Sequence, residues 1–594
     1  MPPWLRAQLK RWSPGAPWPL LVAAGLLVVG VLIAQLFTLR APLMGEHNWR
    51  QSDTYSVAYN FAFERASFLY PRVDFNRGRS GIMGMETPVY TYTTGQLMRV
   101  LGDGPLAGRL VNWLSLMLGL GAACLAFRPV AEAQVARAGV QPNPLWLPIG
   151  LITFAVLSPL FFFEGRQIQP DPSMAALTTA AAACFHAFSK RPTPWIYALG
   201  MASYGLAVGT KSPAIIAGPA LWLLSFTASR GVRWYTPLLR GLPFVLPLAL
   251  FWGWDKWAHH LDDKFNEGFK YFEIDFKLRE YIDRFKDMDA MRRAFGFVFT
   301  SYTSSWVLLP ALLAGLALAF RRGYRAISLP MLVWLVIGLF LCAGSERLTW
   351  HWYYAFMLML PLFYFGGVGL ASVFEGVACY EQTSLALRWS VWQLVLAFAL
   401  TRFIGGPARA LKDAIGAGYP PGPTWTTPSN LLWLLGVQLV ALLLALTLRF
   451  RGARLVASVA LAVSCAVAIP RALHDLRQTF LWRARVDLWP DMEKHWLPMR
   501  RELDQVSTRA DLFVVDGYNP WYLYLARRKG FVHGDPPNHE EWVRIIKSKT
   551  RFYLHFHERG GGIHTNLSGH PLLRKGERWE LYCLDPEGCE PLRK

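Results

Sequence analysis

The chain has 594 residues, of which 53% are hydrophobic and 17% are charged, and its mean hydropathy is +0.23. Soluble globular proteins carry about 25% charged residues, so the composition excludes an ordinary soluble enzyme. The net charge of +21 would suit a nucleic-acid-binding protein, but much of the excess lies in short connectors between apolar blocks. Basic residues placed in this way orient membrane helices, which argues for a membrane protein without a nucleic-acid partner.

Apolar blocks of about 20 residues, each long enough to cross a bilayer, predict about thirteen transmembrane helices. They span 18–39, 107–127, 144–163, 172–189, 194–210, 213–229, 235–254, 301–320, 327–343, 352–378, 390–405, 429–448 and 455–471. The basic connectors place the N-terminus in the cytoplasm. Because the number of helices is odd, the C-terminal domain is expected on the other side. The sequence thus predicts a multi-pass protein of the bacterial inner (plasma) membrane with a periplasmic C-terminal domain.

The fold class predicted from these patterns is an all-α polytopic membrane protein with a small C-terminal α/β domain. Residues 1–479 form the transmembrane domain and residues 480–594 form the α/β domain. In the latter, D-L-F-V-V-D, R-F-Y-L-H-F and R-W-E-L-Y-C predict strands. H-E-E-W-V-R-I-I-K-S predicts a helix, and P-W-Y-L-Y-L-A-R-R-K-G predicts another that ends at Gly530. Cys583 and Cys589 lie in this domain, and either they form a disulfide outside the cytoplasm or they stay reduced.

Two predicted outer loops are long and rich in polar residues. Loop 255–300 combines charged and aromatic side chains and predicts an amphipathic helix at the membrane interface. Loop 40–106 carries carboxylates, arginines and a run of aromatics between two apolar helices. A loop of this length is uncommon unless it is functional, so loop 40–106 is the candidate catalytic region.

The motifs of these outer segments resemble those of one enzyme family. They are H-N-W-R-Q-S-D (47–53), F-L-Y-P-R-V-D (68–74), M-E-T-P-V-Y (85–90), G-R-L-V-N (108–112), G-R-Q-I-Q-P-D (165–171), G-T-K-S-P (209–213) and R-L-T-W-H-W-Y-Y (347–354). Together they resemble the C-type glycosyltransferases that use polyprenyl-phosphate sugars, such as protein O-mannosyltransferases and the lipid A aminoarabinose transferase. The resemblance covers most of residues 15–365.

The resemblance implies an integral membrane glycosyltransferase of the cell envelope. Such an enzyme takes a sugar from a polyprenyl-phosphate donor and transfers it, with inversion, to an envelope acceptor that is lipid A, another glycan or a protein. The expected partners are this donor, the acceptor and the lipid bilayer. No cofactor is certain, and a divalent metal ion at the carboxylates is left open.

Asp53 is the expected general base, because a carboxylate within hydrogen-bond reach of the acceptor hydroxyl can take its proton. The single-displacement reaction with one base is analogous to that of inverting glycosidases. The alternative is a structural role: Asp53 precedes T-Y-S-V-A-Y-N-F-A-F and would then only cap the N-terminus of a helix.

Two further carboxylates are assigned to the catalytic set. Glu86, in G-M-E-T-P, binds the acceptor or a metal ion, or else supports its loop; the family has a basic residue next to it where this chain has Thr87. Asp171 and Arg166 lie at a tight outer turn, where they either line the sugar pocket or form an ion pair. His47 and Arg50 are assigned to the sugar or acceptor pocket with Arg166.

Four residues are expected to bind the donor phosphate. Lys211, in G-T-K-S-P, lies between two apolar helices, where an ionisable residue is costly and a functional candidate. A fixed cation there would neutralise the polyprenyl phosphate that leaves; alternatively, Lys211 only reaches towards the interface. Arg347, His351 and Tyr354 form a second cluster, unless their aromatic neighbours are merely an interfacial belt.

Two other functions compete with the transferase hypothesis. A transporter or flippase of lipid-linked sugars would show paired discontinuous helices and polar sites at the membrane midplane, whereas these motifs collect at one face. A non-enzymatic assembly protein would not need Asp53, Glu86 and Lys211 together. The sequence contains no Walker loop and no H-E-x-x-H, so it gives no support to an ATPase or a zinc protease.

Overall fold

The structure is a computed structural model that describes most of the chain, and the two longest internal stretches outside the described residues are 267–310 and 379–488. The described residues are 18–43, 45, 47–76, 79–135, 146–226, 233, 235–266, 311–312, 315–320, 325–343, 352–378, 489–516, 520–533, 543, 545, 549–557, 567 and 569–593.

Helices dominate the first part of the chain, because its apolar blocks satisfy their backbone hydrogen bonds internally. They are α1 (Trp18–Thr38), α2 (Asn48–Phe63), α3 (Val89–Leu101), α4 (Leu106–Val135), α5 (Trp146–Leu157), α6 (Pro159–Phe162), α7 (Asp171–Lys190), α8 (Pro194–Thr210), α9 (Gly218–Leu224), α10 (Thr236–Gly241), α11 (Val245–Phe265), α12 (Arg325–Ala343) and α13 (Met359–Ala378). Short 3₁₀ turns occupy Glu164–Arg166, Ser212–Ala217, Leu242–Phe244 and Trp352–Leu358.

Three helices of the described chain are long and apolar enough to cross a membrane: Leu106–Phe127, Thr236–Phe265 and Tyr353–Ala371. A fourth span would consist of Trp146–Leu157 and Pro159–Arg166, which meet at an angle of 67°. The break falls before Pro159, which cannot donate a helical hydrogen bond. The predicted helices 390–405, 429–448 and 455–471 lie outside the described residues, and the number of thirteen stays a prediction.

Small residues allow the apolar helices to pack closely. A Cβ atom on Gly150 of α5 would lie 2.2 Å from the carbonyl oxygen of Gly367 in α13, and one on Gly119 of α4 would lie 2.7 Å from that of Ala176 in α7. Backbones that approach this closely are typical of membrane helix pairs, because dispersion contacts rather than water exclusion hold them together. The helices α4, α5, α7, α8, α9, α12 and α13 share one large apolar core.

The predicted loop 40–106 folds into the two helices α2 and α3 with a compact connection between them. Helix α11 runs beyond the predicted span 235–254 and packs on this connection. Its Trp257 indole donates to the carbonyl oxygen of Leu69 at 2.8 Å, and Arg79 donates back to the carbonyl oxygen of Asn266 at 2.5 Å. The start of loop 255–300 is therefore a continuation of α11, and its remainder lies outside the described residues.

The C-terminal domain contains a mixed five-stranded sheet. Its helices are α14 (Trp489–Asp491), α15 (Leu497–Val506), α16 (Trp521–Ala526) and α17 (Pro586–Cys589), with a π turn at Met492–Trp496 and a 3₁₀ turn at Glu590–Arg593. The strands are β1 (Leu512–Asp516), β2 (Lys529–His533), β3 (Phe552–Phe556), β4 (Leu572–Lys575) and β5 (Trp579–Cys583), in the order β2-β1-β3-β5-β4. Strand β1 is parallel to β2 and β3, and the other pairs are antiparallel.

The sheet confirms the three predicted strands and corrects one helix. The prediction that a helix ends at Gly530 was wrong: α16 ends at Ala526, and Arg527 adopts a left-handed conformation with φ of 54°. Gly530 lies inside β2, where a Cβ atom would be 1.9 Å from the carbonyl oxygen of Phe513. The glycine therefore serves the close approach of two strands and does not terminate a helix. Strands β2 and β4 were not predicted, and the predicted helix H-E-E-W-V-R-I-I-K-S lies almost wholly outside the described residues.

Cys583 and Cys589 form a disulfide in the structure. Replacing both with serine is expected to lower the stability of the C-terminal domain by about 2 kcal/mol, because the closed loop spans few residues. Thiol alkylation followed by mass spectrometry of the protein from intact cells checks the pairing. Alkylation of both cysteines without a reductant would contradict the disulfide and the predicted periplasmic location together.

Candidate active site

Four ionisable side chains from separate parts of the chain form a buried cluster, here called the charged cluster. Glu86 accepts from Arg50 at 2.6 Å and from Lys211 at 3.2 Å, and Lys211 also lies 3.4 Å from an oxygen of Asp171. The side chain of Asp171 is 1% exposed and that of Lys211 is 5% exposed. The two positive and two negative charges balance, which is how buried ionisable groups are tolerated. The structure thus brings together four residues that sequence reasoning assigned to one site.

The position of Glu86 depends on contacts of its neighbours in the loop. Gly84 donates its N–H to Asp262 of α11 at 2.7 Å, and a Cβ atom on Gly84 would lie 2.2 Å from the carbonyl oxygen of Ala258. The indole of Trp254 donates to the carbonyl oxygen of Met85 at 2.7 Å. Only glycine allows this approach of the loop to α11, and the approach directs Glu86 towards Lys211.

Asp171 is held at the first turn of α7 by hydrogen bonds to the preceding turn. Asn112 of α4 donates to the carbonyl oxygens of Gln167 at 2.6 Å and Gln169 at 2.8 Å, and accepts from Ser173 at 2.6 Å. Because one buried amide satisfies three partners, it fixes the turn relative to α4. Asn112, the last residue of the G-R-L-V-N motif, is therefore a positioning residue.

Two tyrosine rings lie beside Lys211. The ammonium nitrogen lies 5.3 Å from the ring centre of Tyr353 and 5.5 Å from that of Tyr354, both within the range of cation–π attraction. His47 packs edge-on against Tyr353 with 5.1 Å between ring centres. Lys211 and Tyr354, two of the predicted phosphate ligands, are thus neighbours.

The charged cluster keeps Glu86 ionised. Burial alone would raise the pKa of Glu86, but the charges of Arg50 and Lys211 outweigh that effect and lower the pKa to about 2. A carboxylate with so low a pKa is a poor proton acceptor at neutral pH. Glu86 is therefore better suited to holding the two cations in place than to acting as a base.

Asp53 lies in the second turn of α2, so the alternative interpretation, in which it only caps the helix N-terminus, was wrong. The helix begins at Asn48, and His47 occupies the capping position with a left-handed φ of 56°. Asp53 is 4% exposed, and it lines two adjoining pockets on opposite sides of α2. This arrangement cannot be read from the capping pattern, because the helix starts six residues earlier than the pattern indicates.

The first pocket, here called the loop pocket, connects Asp53 to the charged cluster through Arg50. Arg50 is one turn before Asp53 on α2 and contacts both the pocket and Glu86. The remaining walls come from the connection between α2 and α3. The lining residues are Arg50, Asp53, Thr54, Val57, Pro71, Arg72, Val73, Met83 and Met85.

The second pocket, here called the interdomain pocket, lies between α2 and the C-terminal domain. Asp53 forms part of one wall, and residues from α16 and the loop before β1 form the other. Its lining residues are Ser52, Asp53, Tyr55, Ser56, Tyr59, Asp74, Arg509, Pro520, Tyr524 and Arg527. Asp53 is thus a carboxylate shared by a pocket beside the charged cluster and a pocket beside the soluble domain.

Ion pairs fasten the C-terminal domain to the predicted loop 40–106. Arg509 donates to both carboxylate oxygens of Asp74 at 2.7 Å and to Glu64 at 2.8 Å. Lys529 also pairs with Glu64. Burial alone would raise the pKa of Glu64, but Lys529 and Arg509 lower it. Arg509 uses Nη2 for Asp74 and Nε for Glu64, and because its guanidinium is planar and rigid, these contacts orient the domain over α2.

Sequence reasoning did not identify the contribution of Arg509, Tyr524 and Arg527 to this region. Arg509 stacks on the ring of Tyr59 at 4.1 Å, and Arg527 pairs with Asp103. These residues lie more than 400 positions from Asp53 in the chain. No local pattern marks them, since their partners are supplied by tertiary contact.

Arg166 has a different environment from the charged cluster. It donates to the carbonyl oxygen of Thr38 at 3.0 Å, and Arg109 donates to the same oxygen at 2.9 Å. Two cations at the C-terminal end of α1 satisfy carbonyl groups that have no partner within the helix. Asp171, which was considered as an ion-pair partner of Arg166, pairs with Lys211. Arg347 and His351 lie outside the described residues.

The described residues contain no group of three or more histidine, cysteine, aspartate or glutamate side chains that could hold a metal ion. Glu86 and Asp171, the two nearest carboxylates in the charged cluster, share Lys211 as a partner. The divalent ion considered from the sequence is untested by this finding and stays a prediction.

Comparison with known proteins places this arrangement in a recognised fold. ArnT from Cupriavidus metallidurans in the apo state matches with a TM-score of 0.51 at 14% sequence identity, over 96% of this chain and 98% of that chain. The same protein bound to undecaprenyl phosphate matches with a TM-score of 0.53 at 14% identity, with the same coverage. This chain has the fold of ArnT.

The match confirms the predicted fold and covers both the membrane helices and the C-terminal domain. An oligosaccharyltransferase from Archaeoglobus fulgidus is a more distant neighbour, with a TM-score of 0.45 at 11% identity, over 91% of this chain and 70% of that chain. No family model and no curated protein sequence matches the chain. The similarity therefore lies in the arrangement of the helices and the sheet, at 14% sequence identity.

Proposed function

We propose that this protein is an integral membrane glycosyltransferase that moves a sugar from a polyprenyl-phosphate donor to an acceptor of the cell envelope. The observation that carries the proposal is the position of Asp53, which lines both the loop pocket and the interdomain pocket. A general base for group transfer must reach an acceptor on one side while the donor lies on the other. The shared fold with ArnT, a protein whose structure holds undecaprenyl phosphate, supports the choice of a lipid-linked donor.

The proposed reaction is a single displacement with inversion. The acceptor hydroxyl transfers its proton to Asp53 as its oxygen bonds to the anomeric carbon. The bond from that carbon to the phosphate oxygen breaks, and polyprenyl phosphate leaves. Lys211, with Tyr354 beside it, stabilises the phosphate charge that develops. Arg347 and His351 are proposed to complete this phosphate site.

The other predicted site residues are proposed to position the groups that react. Glu86 and Asp171 hold Lys211 in position through the pairs at 3.2 and 3.4 Å. Arg50 links this cluster to the loop pocket, where with His47 it would orient the sugar. Arg166 acts at greater distance, because it fixes the end of α1. The reaction is proposed to take place on the periplasmic face, with the N-terminus in the cytoplasm and about thirteen helices in the inner membrane.

Transfer activity of the full chain in liposomes tests this proposal. Each of a panel of radiolabelled polyprenyl-phosphate sugars is supplied with an envelope extract, and the label in lipid, glycan and protein fractions is measured. Incorporation from one donor, with release of polyprenyl phosphate in equal amount, is the expected result. Movement of the labelled carrier across the bilayer without sugar transfer would instead support the flippase alternative.

A further inference from the structure

The residues around the interdomain pocket indicate which kind of acceptor it binds. This inference rests on the transferase function proposed above. We propose that this pocket binds the acceptor and that the acceptor presents an uncharged sugar ring with a free hydroxyl, not a phosphate group. The C-terminal domain would then supply half of the acceptor site. The proposal depends on the charge and the aromatic content of the residues around the pocket.

The cations at this pocket already have carboxylate partners. Arg509 is bound by both oxygens of Asp74 and by Glu64, and Arg527 pairs with Asp103. An anionic acceptor at Arg509 would have to compete with the three hydrogen bonds that this arginine donates to Asp74 and Glu64. These pairs therefore reduce the attraction of the pocket for an anion.

The charge balance leads to the same conclusion. Four cations, Arg500, Arg509, Arg527 and Lys529, lie in and beside the interdomain pocket together with four carboxylates, Asp53, Glu64, Asp74 and Asp103. With all of these groups ionised the charges cancel. The pocket therefore has no net positive charge to attract a phosphate group, whereas an uncharged hydroxyl can donate a hydrogen bond to a carboxylate.

Aromatic rings supply the rest of the wall. Tyr55 meets Tyr524 edge-to-face with 5.2 Å between ring centres, and Tyr59 lies 6.4 Å from Tyr55. The hydroxyl group of Tyr55 donates to Asp103, so the ring is held by its polar end. Flat rings beside a few fixed polar groups suit a sugar, which has apolar C–H faces and a polar rim.

The two pockets that share Asp53 give the two substrates separate positions. The loop pocket adjoins the charged cluster with Lys211, the proposed site of the donor phosphate. The interdomain pocket lies between α2 and the C-terminal domain. The donor and the acceptor would then reach Asp53 from different sides.

Direct binding measurements on the full-length protein in lipid nanodiscs test this inference. The probes are a panel of uncharged oligosaccharides and the same oligosaccharides carrying one phosphate monoester. We expect wild type to bind at least one uncharged member, and its phosphorylated counterpart about tenfold more weakly. Tyr59→Ala and Tyr524→Ala should each weaken binding by about tenfold, the effect of losing one aromatic contact. Tyr235→Ala, at an exposed tyrosine outside the pocket, serves as the matched control.

Binding of undecaprenyl phosphate to the same preparations separates this inference from the proposed function. The tyrosine variants should bind the lipid as wild type does. Three results would overturn the inference, provided that the protein still binds the lipid. They are tighter binding of the phosphorylated oligosaccharides, no binding of any uncharged oligosaccharide, and binding by the tyrosine variants that equals wild type. If wild type did not bind undecaprenyl phosphate at all, that result would argue against the proposed function itself.

Discussion

Replacing Asp53 with asparagine is expected to lower the rate of sugar transfer by about 10²–10⁴-fold, the usual contribution of a general base. Asparagine has nearly the same shape, so α2 and both pockets should keep their geometry, but it cannot accept the proton of the acceptor hydroxyl. Initial rates at saturating donor and acceptor measure the effect. The Michaelis constants for both substrates should change by less than about threefold, because binding in the ground state does not need the base.

A matched control lies close by on α11. Asp263 is exposed, and Asp263→Asn changes the same functional group without touching either pocket. Its transfer rate should equal that of wild type. A fully active Asp53→Asn variant would remove Asp53 from the reaction and would move the search for the base to Asp171.

Replacing Lys211 with methionine is expected to abolish transfer and to destabilise the protein by about 3–5 kcal/mol, the cost of leaving a buried charge without its partner. Methionine fills a similar volume but leaves Glu86 and Asp171 without the cation that they share. Tryptophan fluorescence during thermal unfolding in detergent, together with binding of undecaprenyl phosphate, measures the two effects. The Lys211→Arg variant, which keeps the positive charge, should retain part of the wild-type stability and part of the binding of undecaprenyl phosphate.

The stability loss should depend on pH with a defined sign. In wild type the pKa of Glu86 is lowered from 4.5 to about 2, so its ion pairs stabilise the fold above pH 4.5. This contribution is lost as the pH falls towards 2. In Lys211→Met the pKa of Glu86 should lie higher than in wild type, so the difference in stability between the two proteins should shrink as the pH falls towards 2.

Lys264, an exposed lysine near the end of α11, provides the control for the charge change itself. Lys264→Met removes the same charge and should leave thermal unfolding and lipid binding unchanged. If Lys211→Met unfolded at the wild-type temperature and still bound undecaprenyl phosphate, then neither the structural nor the phosphate-binding role of Lys211 would stand.

The fold class and the membership of the charged cluster could be predicted before the structure was known. Long apolar blocks and their basic flanks predict membrane helices from composition alone. Lys211 was selected because an ionisable residue next to an apolar helix is costly without a partner, whereas Glu86 and Asp171 were selected from motifs of the predicted outer loops. The structure shows that they are one another's partners, with Arg50 as the fourth.

Local patterns failed where two interpretations of the same residues were possible. The sequence around Asp53 fits the capping pattern of a helix, but α2 begins at Asn48 because the preceding residues also pack against the protein. Gly530 fits the end of a helix, but it lies in β2 against the backbone of Phe513. Arg166 was grouped with Asp171 because the two are close in the chain, whereas its side chain faces the end of α1.

The sequence by itself determined that this is a helical membrane protein with a soluble C-terminal domain, because hydrophobicity and its period are properties of the chain. It also determined which ionisable residues need a buried partner. Only the tertiary structure decided which residues meet: Arg509 with Asp74, Tyr524 with Tyr55, and Lys211 with both Glu86 and Asp171. Such pairings join segments that are far apart in the chain. They depend on how the helices pack and how the C-terminal domain docks, and no local sequence pattern specifies them.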